Sequence, residues 1–214
     1  MTGGEEFTAP EHLTPAHDVA AFDSGTPALD EWLKQRALAN ETAGGSRTYV
    51  ACAGGRVVGY YALATGGVAR EMATGQVRRN MPDPVPVMVL ARLAVDRAYQ
   101  DRGLGAGLLR DVILRTLQAA ELGGIRAILV HAISAEAKRF YERHGFVECP
   151  VGPMTLMITL ADAKRALGSG WGGARLRAAR SPAQRARRCV LECGLRRGAA
   201  VVPRPPCSSG RSPD

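Results

Sequence analysis

An α/β fold, with a mixed sheet flanked by helices, is the architecture this 214-residue sequence predicts. Three observations carry it. Apolar strand-like runs alternate with helix-like runs through the second half of the chain, the order of helices packed on a sheet. Two β-rich runs in the first half are joined by Gly54-Gly55, a two-residue hairpin signal, so part of the sheet is antiparallel. A glycine-rich turn, Gln100 to Gly107, lies between a strongly apolar run and a helix-like one.

The elements follow in order. Residues 26–40 read as a helix, with Pro27 near its start and Leu29, Trp32, Leu33, Arg36 and Ala37 near helical spacing. Residues 47–53 and 56–65 are the two strands of the hairpin. Pro82, Pro84 and Pro86 mark a stiff connection to an apolar, central strand at 87–95. A helix starts near Gly105 and runs to Leu122, where Gly123-Gly124 stops it. Residues 125–132 form another buried strand. Ser134 caps a helix over 135–144 that ends at Gly145. A last strand spans 154–160, and a short helical end spans 162–167.

Charge divides the chain. The formal net charge is +8, and all of it falls in residues 168–214, which hold ten arginines and two acidic residues. Residues 1–167 balance 18 basic against 18 acidic side chains, so global charge gives no argument that the folded part binds nucleic acid. We read 1–167 as one folded domain and 168–214 as a disordered Arg/Gly/Pro-rich tail. An arginine-rich arm for nucleic acid, and an extension without function, are the competing readings of the tail. The five cysteines, Cys52, Cys149, Cys189, Cys193 and Cys207, give no disulfide framework; Cys189 and Cys193 have no second ligand pair, so no metal site is expected. No apolar run reaches membrane-spanning length, and Glu5 and Glu6 stand where a basic leader would be, so the expected location is the cytoplasm, away from membranes.

The turn at 100–107 is the chemically informative stretch. It places a Gln-x-x-Gly-x-Gly loop at a helix N-terminus, where backbone N–H groups and the helix dipole favour an anion such as a pyrophosphate. The spacing of Gly103, Gly105 and Gly107 matches neither the dinucleotide fingerprint nor the nucleotide-triphosphate loop, and alone it could simply make a turn.

Three segments together change that. Val89-Leu90-Ala91-Arg92-Leu93-Ala94-Val95, Gln100-Asp101-Arg102-Gly103-Leu104-Gly105 and Phe140-Tyr141-Glu142-Arg143-His144-Gly145-Phe146 resemble the GNAT superfamily of acyl-CoA N-acetyltransferases. More narrowly, five further segments resemble the aminoacyl-tRNA-acetylating GNAT toxins of bacterial toxin–antitoxin modules: Phe22-Asp23-Ser24-Gly25, Leu29-Asp30-Glu31-Trp32-Leu33, Arg47-Thr48-Tyr49-Val50, Val58-Gly59-Tyr60-Tyr61-Ala62-Leu63 and the closing residues 154–160. The resemblance covers about residues 10–167. It implies a GNAT fold, a mostly antiparallel mixed sheet with a splayed central strand pair, and acetyl-CoA as co-substrate. It implies that Gln100, Asp101, Arg102, Gly103, Leu104, Gly105 and Ala106 meet the pyrophosphate, that the main chain of Leu93, Ala94 and Val95 pairs with the pantetheine arm, and that Ser134 also touches the cofactor. Tyr141 becomes the general acid for the departing thiolate; a phenol of pKa near ~10 keeps its proton at neutral pH. The competing reading makes Tyr141 a core aromatic with a satisfied hydroxyl.

On this resemblance the reaction is transfer of acetyl to the α-amine of aminoacyl-tRNA, which blocks translation. An α-amine titrates near ~7.7–8.0, and its ester neighbour lowers that, so no strong base is required. No residue stands out as a general base; His131, at a strand end, and His144, at a helix end where the dipole favours it, are candidates and neither is assigned. Arg36, Arg47, Arg78 and Arg79 are the arginines assigned to tRNA, with an ordinary solvated surface as the competing reading for each. The implied partners are aminoacyl-tRNA, a ribbon–helix–helix antitoxin and a second copy in a homodimer. Two other classes stay open. One is a GNAT acting on a small amine, an antibiotic or a protein N-terminus; the absence of an acid-rich block disfavours an aminoglycoside site. The other is a non-catalytic CoA- or RNA-binding module.

Overall fold

The computed structural model describes residues 7–168. The expected tail, with Cys189, Cys193 and Cys207, lies outside the described residues. Seven strands form one sheet: β1 (Glu11–His12), β2 (Arg47–Ala53), β3 (Arg56–Val68), β4 (Val85–Val95), β5 (Ala127–His131), β6 (Val147–Cys149) and β7 (Gly152–Thr159). Their order is β1-β2-β3-β4-β5-β7-β6. Every neighbouring pair is antiparallel except β4–β5, which is parallel. The mixed, mostly antiparallel sheet therefore stands as expected. The helices are α1 (Pro27–Gln35), α2 (Ala37–Ala43), α3 (Gly75–Arg78), α4 (Leu104–Ala120), α5 (Ala135–Arg143) and α6 (Leu160–Gly168). Among the described residues no helix is long and apolar enough to cross a membrane.

Alternation along the strands sorts side chains onto two faces. On one face Tyr61, Leu63, Met88, Leu90, Ile128, Val130, Leu156 and Ile158 pack with Leu104, Leu108, Val112 and Ile113 of α4, Tyr141 of α5 and Ala163 of α6. On the other, Val50, Tyr60, Ala62 and Ala94 pack under Trp32 and Leu33 of α1 and Ala37 of α2. Val77 of α3 covers the far end of that same face, over Val68, Val85, Val87 and Leu129.

Four differences from the sequence expectations have local causes. The helix expected over 26–40 is two helices, because Arg36 leaves helical geometry at φ −121° while still donating to the Trp32 carbonyl at 2.9 Å. Strand β4 begins at Val85, so Pro86 lies inside it; the Arg126 N–H donates to the Pro86 carbonyl at 2.9 Å, a bond that needs nothing from the missing proline N–H. Strands β1 and β6 carry too few buried positions to show a period: both β1 residues are exposed, and only Cys149 of β6 is buried. The four-residue α3 starts on a glycine and carries no helical pattern either.

A buried polar network ties the α4 face together. Tyr61, with no exposed surface, donates its hydroxyl to Asp111 of α4. Arg115 Nε donates to the same carboxylate at 2.7 Å, and its Nη2 reaches the Pro10 carbonyl at 2.8 Å. The Arg115 guanidinium lies 4.0 Å from the centre of the Tyr49 ring, which stacks on Tyr61. Burial, then the nearby Asp111 carboxylate, pushes the Tyr61 hydroxyl far above the ordinary phenol range, so it stays a donor. Removing the carboxylate orphans two partners at once. Asp111→Ala is expected to cost about 2–3 kcal/mol. Denaturant unfolding checks this: the midpoint should fall with an unchanged slope, and Asp111→Asn should recover part of the loss.

Candidate active site

Strand β4 makes the site by leaving its neighbour. It pairs with β3 along its whole length, but with β5 only from Val87↔Ala127 to Leu90↔Val130. The β3 register jumps there: Ala62 faces Arg92 while Leu63 faces Leu90, so Ala91 is an extra residue bulged out of the ladder. Before the bulge Met88 and Leu90 point to the α4 face; after it Leu93 and Val95 do. The bulge thus keeps apolar side chains on α4 while the strand bends away from β5. Residues 91–95 are left with an open flank. Alternation fixes which groups face the opening. The Asp96 N–H donates to the Val58 carbonyl on the β3 side, whereas the Val95 carbonyl accepts from Gln100 Nε2. The peptide groups of Leu93, two residues before Val95, therefore turn into the gap.

The gap widens into a cleft of about 950 Å³. Leu93, Ala94, Val95, Gln100, Asp101, Gly103, Gly105, Ala106, Ser134 and Tyr141 all line it. Two of the expected cofactor residues do not. Leu104 is buried in the core at 1% exposure, and its side chain packs on the sheet. Arg102 lies over the Tyr99 ring, 5.0 Å from its centre. Neither side chain lines the cleft.

The loop before α4 is rigidly held. Asp96 Oδ1 accepts from the Ala98 N–H at 3.0 Å, and its Oδ2 accepts from the Asp23 N–H at 3.2 Å. Gln100 Nε2 donates to the Ser24 and Val95 carbonyls, both at 3.0 Å. The leading glutamine of the loop motif is therefore a brace between the Phe22-Asp23-Ser24-Gly25 segment and the end of β4. Gly103 adopts φ +79° at the N-cap of α4, a left-handed conformation costly for other residues, and no side chain caps that end. A methyl at Gly105 would meet Val95 and Phe140 only at 3.8–3.9 Å, ordinary contact. Packing does not require a glycine there, and its backbone borders the cleft. An uncapped helix start, a glycine that clears space and an open strand flank suit a pyrophosphate joined to a peptide-like arm.

Tyr141 sits on α5, 6% exposed, between Phe140 and Phe146. Among the described residues its hydroxyl makes no hydrogen bond, and the residue lines the cleft. Burial pushes its proton affinity well above the ordinary phenol range. Tyr141 packs in the core through its ring, but its hydroxyl is not tied to a partner as those of Tyr60 and Tyr61 are. Ser134 caps α5, accepting from the Ala137 N–H at 3.1 Å. His144 Nδ1 pairs with the Phe140 carbonyl at 2.8 Å and lines the outer cleft. His131, at the end of β5, pairs through Nδ1 with Thr155 Oγ1 at 2.7 Å.

The four arginines expected at tRNA are scattered. Arg47 makes an ion pair with Glu41 at 3.1 Å, and Arg36 sits at the α1–α2 junction. Arg78 and Arg79 line a second concavity of about 580 Å³ with Arg70, Glu71 and Asp83. Ser24, Thr26 and Leu29, at the start of α1, also line the main cleft. Sequence reasoning quoted that segment as a motif but gave it no role. Among the described residues no group of three or more His, Cys, Asp or Glu side chains is placed to hold a metal ion.

Comparison with known proteins identifies the family. An acetyltransferase (GNAT) domain matches residues 44–148. A tRNA-acetylating toxin of Mycobacterium tuberculosis is 55% identical over 162 residues, 76% of this chain and 98% of the relative. The solved structure of AtaT complexed with acetyl-methionyl-tRNAfMet superposes with a TM-score of 0.69 at 26% identity, over 76% of this chain and 99% of that one. A tyrosine-to-phenylalanine mutant of the AtaT toxin, bound to the C-terminus of the antitoxin AtaR and to acetyl-CoA, superposes at 0.64 with 25% identity, over 77% of this chain and 99% of that one. The chain belongs to the GNAT family of acetyl-CoA-dependent N-acetyltransferases.

Proposed function

We propose that this enzyme acetylates the α-amine of aminoacyl-tRNA and so acts as a translation-blocking toxin. The observation that carries the reading is the β4–β5 gap, with its braced loop at one end and Tyr141 at its wall, in a chain 55% identical to a tRNA-acetylating toxin. The catalytic unit in this reading is residues 1–167, with the arginine-rich 168–214 outside it, working in the cytoplasm. The AtaT complex with its antitoxin supports a protein partner; the family resemblance extends this to a ribbon–helix–helix antitoxin and a homodimer.

When bound, acetyl-CoA supplies an activated acetyl thioester. The residues divide the remaining work. Backbone N–H groups of 101–106, at the start of α4, hold the pyrophosphate. The Leu93 peptide pairs with the pantetheine amides, as an added strand pairs with a sheet edge. Residues 91–95 span four steps of about 3.3 Å each, a reach that brings the thioester from the loop back to the point where β4 and β5 part. Tyr141 faces the cleft beside that point and donates its proton to the leaving sulfur. Arg70, Arg78 and Arg79 lie on the α3 side of the sheet and hold phosphates of the RNA.

Four outcomes test these assignments. Tyr141→Phe keeps the ring and removes the proton; labelled acetyl transfer to aminoacyl-tRNA should fall by about 10²–10⁴ in kcat. Because burial raises the Tyr141 pKa, wild-type activity should rise with pH as the acceptor amine loses its proton, with no alkaline fall below about pH 10. No transfer to aminoacyl-tRNA by wild-type protein that binds acetyl-CoA would contradict the reading and move the acceptor to small amines or protein N-termini. Gly105→Ala should leave the unfolding free energy within about 1 kcal/mol of wild type, yet raise the KM for acetyl-CoA at least tenfold; an unchanged KM would remove the pyrophosphate from this loop. The double variant R78E/R79E should raise the KM for aminoacyl-tRNA and flatten its logarithmic salt dependence by roughly 1–2 units, with the acetyl-CoA KM unchanged.

A further inference from the structure

We infer that His131 is the general base for the acceptor amine, reached from the sheet face opposite Tyr141. The inference rests on the aminoacyl-tRNA reading for its substrate and on strand register for its place. The β4–β5 ladder ends at Leu90↔Val130, so the next residues, Ala91 and His131, stand at the two sides of the fork. One is the bulged residue that opens the gap; the other carries the imidazole. The reach from the loop back along β4 sets the thioester at this fork.

Face and orientation follow from alternation. Ala127 and Leu129 of β5 pack on the α3 face, whereas Ile128, Val130 and Ala132 pack on the α4 face. His131 therefore joins the α3 face, away from α5 and Tyr141. Its strand partner Thr155 is 4% exposed and lies on the same face, and their 2.7 Å contact holds Nδ1 inward. His131 is exposed, and among the described residues Nε2 has no partner. With Nδ1 held against Thr155 and Nε2 unpartnered among the described residues, the tautomer that carries its proton on Nδ1 leaves Nε2 free to act as a base. The same face bears Arg92, lying 4.4 Å from the centre of the Trp32 ring, and the arginine-lined concavity at α3, so the anionic acceptor and the base share a side.

The charged surroundings of the imidazole are few. On its own face β7 offers Thr155 and Met157 and no ionisable side chain, and β4 offers Arg92. On the other side of the sheet α5 carries Glu136, Lys138, Arg139, Glu142 and Arg143, with Lys138 paired to Glu148 of β6 at 2.5 Å. In the step itself the amine nitrogen forms the N–C bond as the C–S bond breaks. His131 Nε2 takes one proton from that nitrogen, and Tyr141 gives one to the sulfur. Solvent exchange then returns both residues to their starting forms, so product amide and free thiol leave with protons balanced.

His131→Gln and His131→Ala test this against wild type, with labelled acetyl-CoA and aminoacyl-tRNA from pH 6 to 9. We expect kcat to fall at least tenfold in both, with the acetyl-CoA KM and the unfolding midpoint unchanged. The part of the acidic limb of kcat set by an imidazole should vanish, and added imidazole should restore the Ala variant in proportion to its neutral form. A kcat within twofold of wild type, or a tenfold loss with an unaltered limb and no imidazole rescue, would overturn the assignment. Wild-type protein inactive on aminoacyl-tRNA but active on a small amine or a peptide N-terminus would overturn the tRNA reading alone, and the same variants on that amine would then decide for or against His131.

Discussion

The parting of β4 from β5 is the constraint on which the rest of this structure depends. A parallel pair that stayed zipped would satisfy its backbone groups internally and leave nothing for a ligand. Here four residue pairs hold, one bulged alanine intervenes, and the strand beyond it keeps β3 and gives up β5. The apolar pattern enforces the change. Leu90 lies before the bulge and Leu93 after it, and both reach the α4 side only because Ala91 resets the alternation. Core packing thus holds open a polar edge that would otherwise close. The loop after β4 is tied to the same event, since Gln100 bonds the Val95 carbonyl at the end of the freed strand and the Ser24 carbonyl beside α1.

Separation of the two faces then organises chemistry. The α4 side carries the helix start that suits an anion, and α5 brings Tyr141 against it. The α3 side carries α1, its Trp32–Arg92 contact and the arginine-lined concavity. In the proposed reaction the acyl donor enters from one side of the fork and the acceptor from the other, which brings nucleophile and leaving group to opposite flanks of one carbonyl. The buried Tyr61–Asp111–Arg115 network gives this arrangement a stiff back wall, linking β3, α4 and the chain before β1.

Much of the fold was legible because its elements bury one face. The hairpin at Gly54-Gly55, strand β4, helix α4 and the cap at Ser134 all follow from period, turn chemistry or capping. The short edges were not: β1 and β6 expose most of their side chains, so neither alternation nor composition marks them. The break at Arg36 is a tertiary choice, since the residues on both sides favour a helix. The glycine loop and Tyr141 were legible as residues but not as neighbours; only the register places them in one cleft. Gln100 was expected at the pyrophosphate; it lines the cleft, and its amide also braces the backbone, a role the motif alone does not reveal. Leu104 and Arg102 show the limit of reading a loop as a string of contacts, because alternate side chains turn to the core or onto Tyr99. The bulge at Ala91 has no sequence signature at all, yet it decides where β4 and β5 divide.

The most direct test of the central claim is a crystal structure of this protein with coenzyme A bound. The account predicts the pyrophosphate on the backbone N–H groups of 101–106, the pantetheine amides paired with Leu93, and the sulfur at the fork within reach of the Tyr141 hydroxyl. Coenzyme A lying outside the β4–β5 gap, or with its sulfur out of reach of the Tyr141 hydroxyl, would contradict it.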